Sequence, residues 1–413
     1  MALTGPAAGP PRLAPGTVAS AAIGTGALLE ALCPALAAAA PDWAGLLGER
    51  AACWGHARRG RVTAGGAGRM LRARDGWLAL QLPRPDDWHL VPAWLEIPLD
   101  ARLYQSDRGW AVVEGTLRDR FVDPIVERAR LLGLACAPAP RAPLATTPFF
   151  RLTAETGSTS RAAGRPLRVL DLSTLWAGPL ATSLLALAGA SVLKIESPGR
   201  PDGARAGPAA FFDLMNAGKQ GAALDLTDPT DRTTFDALLD AADVVVESAR
   251  PRALRQLGFD AESWVTDRAG RVWLSITGYG RAHEWIAFGD DAAIAAGLGW
   301  APGAGDEDPC FCADALADPL TGLHAAMLAL ACVANGRGGL LDVSLRDVAA
   351  HSAALPIETE AVEIFASTDG FVVRDGEHLA PVAPPRARRP DGSAPPLAPP
   401  SPAQLEAWTR AGC

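Results

Sequence analysis

RVLDLSTLWAGPLATSLLALAG, residues 168–189, decides the class of fold. Its first five residues are apolar in the main and stop at Ser173, which is how a strand buried on both faces reads. Pro179 then opens ATSLLALA and Gly189 closes it, a proline just inside and a glycine just beyond a helix. Strand, turn and helix in so short a run form the first unit of an α/β layer. The alternation continues downstream. Residues 191–195 (SVLKI) and 221–226 read as strands, Asp228-Pro229 caps a helix reaching Ala241, and 243–246 (DVVV) is a strand. A helix around 251–257 and a strand at 271–276 (RVWLSI) follow. This order predicts an α/β fold with a Rossmann-like, largely parallel sheet over 166–355.

Upstream the pattern changes. Residues 68–82 (GRMLRARDGWLALQL) read as a hairpin turning at Asp75-Gly76. Helical stretches at 88–94 and 117–132 follow, the second closed by Gly133, so 61–135 predict a smaller α+β domain. Residues 136–165 are rich in Pro, Thr, Ser and Gly without periodicity and read as a linker. From 356 to 413 the chain reads as an extended tail, its Pro and Ala content densest at 381–402. A faint repeat also appears: residues 18–32 (VASAAIGTGALLEAL) echo 316–330 (LADPLTGLHAAMLAL), with Ser20 where Asp318 stands.

Length and composition narrow the function. At 413 residues the chain exceeds one ordinary core. With 38 Lys and Arg against 46 Asp and Glu, net −8, it lacks the basic surface that a nucleic-acid partner requires. The seven cysteines are scattered, and Cys310 and Cys312 form a C-x-C with no second pair; reduced thiols in a cytoplasmic protein are expected rather than a metal site. Between Val18 and Ala40 the one charge is Glu30, but Gly24, Gly26, Pro34 and abundant alanine argue for a buried core helix and against a membrane span.

Asp318 stands before Pro319 in ALADPLTGLH (315–324), at the mouth of a helix. The residues alone leave two roles open: a helix N-cap, or a carboxylate nucleophile toward an acyl group. An ordinary aspartate, with a pKa of about 3.9, is ionised at neutral pH without help.

Taken together, VLDLSTLWAGPLATSLLALAGASVLKIESPG (169–199), FFDLMNAGKQGAALDL (211–226), ADVVVESARPRALRQLG (242–258), LSITGYG (274–280) and ALADPLTGLHAAML (315–328) resemble the class III CoA-transferases, the CaiB/BaiF family. The resemblance covers a little under half of the chain. It implies a nucleotide-type large domain and a small domain, here in permuted order, with residues 1–60 as the remnant of a first large-domain copy. It implies Asp318 as the nucleophile and TAGGAG (63–68) as the glycine-rich loop over the site, with Gly65 and Gly66 as backbone oxyanion donors. The CoA groove implied by the resemblance is lined by Leu175, Trp176 and Ala177, by Met215, Asn216, Ala217, Gly218 and Lys219, and by Ser248, Ala249 and Arg250. Lys219 and Arg250, with Arg200 and Arg252, are its candidate phosphate cations. Coenzyme A or acyl-CoA would be a substrate, with no permanently bound cofactor, a carboxylic acid the acceptor, and a homodimer the assembly.

Two departures matter. Ser248-Ala249 replaces a frequent Asn-aromatic pair, and Asp290 stands where related acyl-CoA racemases carry a histidine, so a racemase would lack a proton carrier. Asp290 can still contact substrate or position the nucleophile. The alternatives to CoA transfer are an acyl-CoA racemase or epimerase and a CoA-binding protein without turnover.

Overall fold

A computed structural model describes residues 1–142, 148–157, 165–354 and 362–410. The small domain is built on β1 (Gly68–Arg72), β2 (Trp77–Gln81) and β3 (Ala135–Pro138), an antiparallel sheet with β2 in the middle. The hairpin turns at Asp75-Gly76 as expected, closed by Ala73 N–H to Gly76 O at 2.9 Å. Trp88, Trp94, Val113 and Leu117 from the following helices bury themselves against it.

The large sheet comprises β4 (Phe150–Thr156), β5 (Arg168–Leu172), β6 (Ser191–Glu196), β7 (Gln220–Ala223), β8 (Val244–Glu247), β9 (Val272–Thr277) and β10 (Gly338–Ser344). Its order is β4-β10-β9-β8-β5-β6-β7. All neighbours are parallel except β4, which runs antiparallel along β10. Strands β5 to β10 therefore take the doubly wound order, reversing direction between β5 and β8. In such sheets ligands sit outside the carboxyl ends of the strands at that reversal.

The helices Ala177–Leu187 and Ala317–Ala334 cover one face, joined by the helix Val18–Leu32. Val18, Ala22 and Leu29 share a core with Leu180, Leu184 and Leu323, so the N-terminal segment is part of the large domain's interior. Each leucine buried this completely contributes about 1.5–3 kcal/mol. The two halves of the faint repeat pack on each other, with Thr25 Oγ1 and His324 Nε2 at 3.3 Å. Ser20, however, is exposed on the outer side of its helix. Ala317–Ala334 is long and apolar enough to cross a membrane, yet most of it is buried inside the protein.

Two organisational expectations need correcting. The stretch 136–165 is not a plain linker, since it supplies β3 and β4. In FRLTAET the inward Phe150, Leu152 and Ala154 alternate with outward residues, and surrounding Pro and Thr obscured that period. Its residues 143–147 and 158–164 lie outside the described residues. The described part of the expected tail, residues 362–410, is likewise structured. β11 (Glu363–Ser367), β12 (Gly370–Asp375) and β13 (His378–Pro381) form a third sheet, and Pro402–Arg410 is a helix. Between them the Pro-rich chain straps the large domain: Arg388 binds Glu49, Ala398 O accepts from Ala223 N–H at 2.8 Å, and Trp408 is buried with Nε1 on Leu238 O. Extended backbone lying along an edge strand has no periodicity to announce it. Residues 355–361 and 411–413, Cys413 included, lie outside the described residues.

Candidate active site

At the sheet's reversal the turn after β5 faces the end of β8. Thr174 N–H donates to Ser248 Oγ at 3.0 Å across the gap, and Leu175 is held in the left-handed region at φ 69°. A buried polar lattice braces this turn. Asp202 accepts from Leu175 N–H, Lys194 Nζ donates to Ser173 O at 2.8 Å, and Asp171 accepts from Ser173 N–H and Thr182 Oγ1. Leu175 and Arg250 are exposed on the lip, while Ser248, Ala249 and Ala217 are half-buried and Gly218 is exposed. Trp176, Ala177, Met215 and Asn216 are buried beneath it.

Lys219 does not join the lip. Its ammonium donates to Asp171, Pro179 O, Thr182 and Asn216, all within 3.0 Å, leaving nothing for a phosphate. Burial pulls it down to about 8 in spite of Asp171 beside it. Its role is to brace the turn.

Asp318 occupies the second position of the helix Ala317–Ala334, after left-handed Ala313 and Ala315. The helix has no side-chain N-cap bond. Instead Asp318 Oδ2 accepts from Gly289 N–H at 3.1 Å, at the head of the neighbouring helix Gly289–Ala295. A Cβ on Gly289 would lie 2.4 Å from that oxygen and 2.3 Å from Ala315 O, so only glycine permits this approach. Asp290 accepts from Ala315 N–H at 2.7 Å and from Gln81 Nε2 at 3.2 Å, the latter reaching over from β2. Asp314 is sealed from solvent and takes Arg50 through Nε at 3.0 Å and Nη2, with His56 Nδ1 at 3.2 Å. Arg50 also stands 5.9 Å from the Trp176 ring centre.

Several carboxylates thus share one guanidinium, and they cannot all ionise comfortably. Burial disfavours charge on Asp314, but His56 and Arg50 outweigh it and hold that carboxyl below its ordinary range. Asp290 is pushed up to about 6 by burial and by Asp314. Asp318 keeps some surface open, yet its seat removes it from bulk water, and with Asp290 nearby it rises to about 7 even though Arg50 opposes the shift. Asp291, deeper still, is raised well above its ordinary value by burial; one oxygen accepts from Phe288 N–H and the other has no partner among the described residues. The chemistry on offer is a carboxylate that alternates between neutral and anionic near neutral pH, beside a permanent cation. The expectation of an Asp318 fully ionised without help is therefore corrected.

The sequence pattern of CoA-transferase family III matches residues 165–374, just over half of the chain. The chain belongs to CoA-transferase family III. It is 31% identical over 202 residues to a succinate–glutarate CoA-transferase of Agrobacterium fabrum, covering 44% of this chain and 50% of that protein. It is 29% identical over 195 residues to a formyl-CoA:oxalate CoA-transferase of Escherichia coli, covering 44% and 47%. The chain thus spans about half the length of the relatives it matches. A crystal structure of a CaiB/BaiF family protein from Brucella suis superposes with a TM-score of 0.46 at 25% identity, covering 50% of this chain and 64% of that one.

Within this family III chain Asp318 and Asp290 meet through Gly289 and Ala315, and Arg50, bound to Asp314, lies against both Gly65 and the groove residue Trp176. Gly65 sits beside Arg50 and His56, its amide without an acceptor among the described residues. Gly66 is different: at φ 83° its N–H already donates to Thr63 O at 2.8 Å, so this amide is not a free oxyanion donor. Arg50, His56, Gln81 and Asp314 were missed by the sequence reading. The discoverable signal was Arg50 and His56 leading into the glycine loop, inside a segment read as a remnant. Gly289→Ala should lower turnover about tenfold or more, by driving the added methyl into Asp318 and tilting the carboxylate off its productive line. Steady-state rates beside an unchanged far-UV circular dichroism spectrum check this.

Proposed function

We propose that this protein moves CoA from an acyl-CoA thioester to a carboxylic acid through acyl and thioester intermediates on Asp318. The observation that carries the reading is the placement of Asp318. Its oxygen caps no helix of its own, is aimed by Gly289, and feels the charge of Arg50. Family membership and the names of the two relatives support CoA transfer between short acids.

Each step balances without a cofactor. An Asp318 oxygen attacks the thioester carbonyl, the C–S bond breaks, and an acyl–aspartyl anhydride and CoA thiolate result. The thiolate attacks the aspartyl carbonyl, releasing the donor's acid and leaving an aspartyl–CoA thioester. The acceptor carboxylate displaces the thiolate to give a second anhydride, and the thiolate then takes the acceptor's acyl group, restoring Asp318. Every step passes through an oxyanion, for which Gly65 is the one of the two expected glycine donors whose amide is not engaged among the described residues. A racemase is less well supported, because both Asp290 oxygens are already engaged and no imidazole takes their place. Incubation with succinyl-CoA and hydroxylamine should leave a hydroxamate on Asp318, read by peptide mass spectrometry. Continued CoA transfer with Asp318 unmodified under those conditions would sink the proposal.

A further inference from the structure

Arg50 is held from one side only. Nε and Nη2 face Asp314, whereas Nη1 has no hydrogen-bond acceptor among the described residues. Asp314 is fully enclosed, while Arg50 retains 26% of its side-chain surface, so the unpaired edge is the accessible one. Next to it stands Trp176, only 2% exposed, whose indole N–H has no partner among the described residues. A buried N–H left in this state is destabilising, and an arriving acceptor atom would relieve it.

We infer that Arg50 Nη1 and the Trp176 indole N–H form the seat of the acceptor acid's carboxylate, and that acylation of Asp318 makes that seat available. The inference rests on the transferase reading of Asp318, but its test needs no turnover.

The logic is electrostatic. The charged groups that bear on Asp318 are Arg50, which favours its anion, and Asp290 and Asp314, which oppose it; Asp291 lies behind, its own charge strongly disfavoured by burial. While Asp318 is ionised, Arg50 already faces that charge as well as Asp314, and a further carboxylate is repelled. Once Asp318 carries an acyl or thioester group it is neutral, and the guanidinium regains attraction for an anion. This happens at the one stage when an acceptor carboxylate must reach the aspartyl carbonyl and displace CoA thiolate. Donor-before-acceptor order is thereby built into the charge of the nucleophile itself.

Asp318→Asn imitates the neutral, acylated state. Glutarate binding, measured by titration calorimetry at pH 8, should be at least about tenfold tighter to this variant than to the wild-type protein. Below the Asp318 pKa of about 7 the wild-type protein should approach the variant's affinity. Adding Trp176→Phe, which keeps the ring and deletes the N–H, should weaken the tightened binding, and adding Arg50→Gln should abolish the gain. Since Arg50→Gln strands Asp314, Arg50→Gln with Asp314→Asn serves as the second form of that arm. Equal affinity in wild-type protein and Asp318→Asn, or no saturation of the variant, overturns the inference. So does a gain that survives both second substitutions. Full activity in Asp318→Asn would instead overturn the transferase reading, a separate measurement with a separate outcome.

Discussion

Asp318→Asn should lower CoA transfer about 10⁴-fold, within the range seen when a covalent nucleophile is deleted. The amide is nearly isosteric, and its carbonyl oxygen can still accept from Gly289 N–H, so the site keeps its shape. What it loses is the oxygen able to become an anhydride. The same substitution should stabilise the fold at pH 8 and leave it little changed at pH 4. In the native protein this carboxyl is raised to about 7 by burial and by Asp290, against about 3.9 in an unfolded chain. Between those values the folded state holds a proton that the unfolded state has released, so stability falls as pH climbs through the window. Asparagine has no proton to lose. A thermal-denaturation series should therefore show the variant's advantage appearing above pH 4 and levelling off above pH 7. If Asp318 were a helix cap, the result would reverse, with stability lost and activity mostly kept.

The large sheet was legible because a parallel strand buried on both faces must be apolar throughout, and RVLDL, DVVV and RVWLSI are short apolar blocks set between helices. The hairpin was legible because Asp-Gly fits its turn. Strand β4 and the strap were not, for a common reason: each is stabilised by backbone bonds to an edge strand, which ask little of the side chains. Asp318 was found, but its ionisation was misjudged, since that depends on Asp290, Asp314 and Arg50 converging from distant positions. Lys219 shows the converse. A lysine in a loop reads as a surface cation, and only the fold reveals Asp171, Thr182 and Asn216 closing around it. Arg50 was hidden by an assumption about residues 1–60, not by any weakness of its own signal.

The rate constant kcat/KM for the acyl-CoA donor should climb about tenfold per pH unit below 7 and flatten above it, a fall of about 100-fold by pH 5. The reacting form of Asp318 is the anion, and its carboxyl is held at about 7 by burial and Asp290. Asp290, at about 6, titrates in the same window, so the profile reports apparent values for the pair. Asp290→Asn separates them. Removing that negative neighbour while keeping an oxygen for Ala315 N–H should move the midpoint to lower pH, because the anion of Asp318 then has one opponent fewer. An Asp318 with an ordinary carboxylate pKa would give a profile flat from pH 5 upward, and the crowding of carboxylates around Arg50 would then have no bearing on catalysis. Activity and stability should therefore run in opposite directions across the same interval: the protonated enzyme is the more stable and the less reactive. That opposition is the signature of a nucleophile kept uncomfortable in its resting state, ready to shed its charge by acylation.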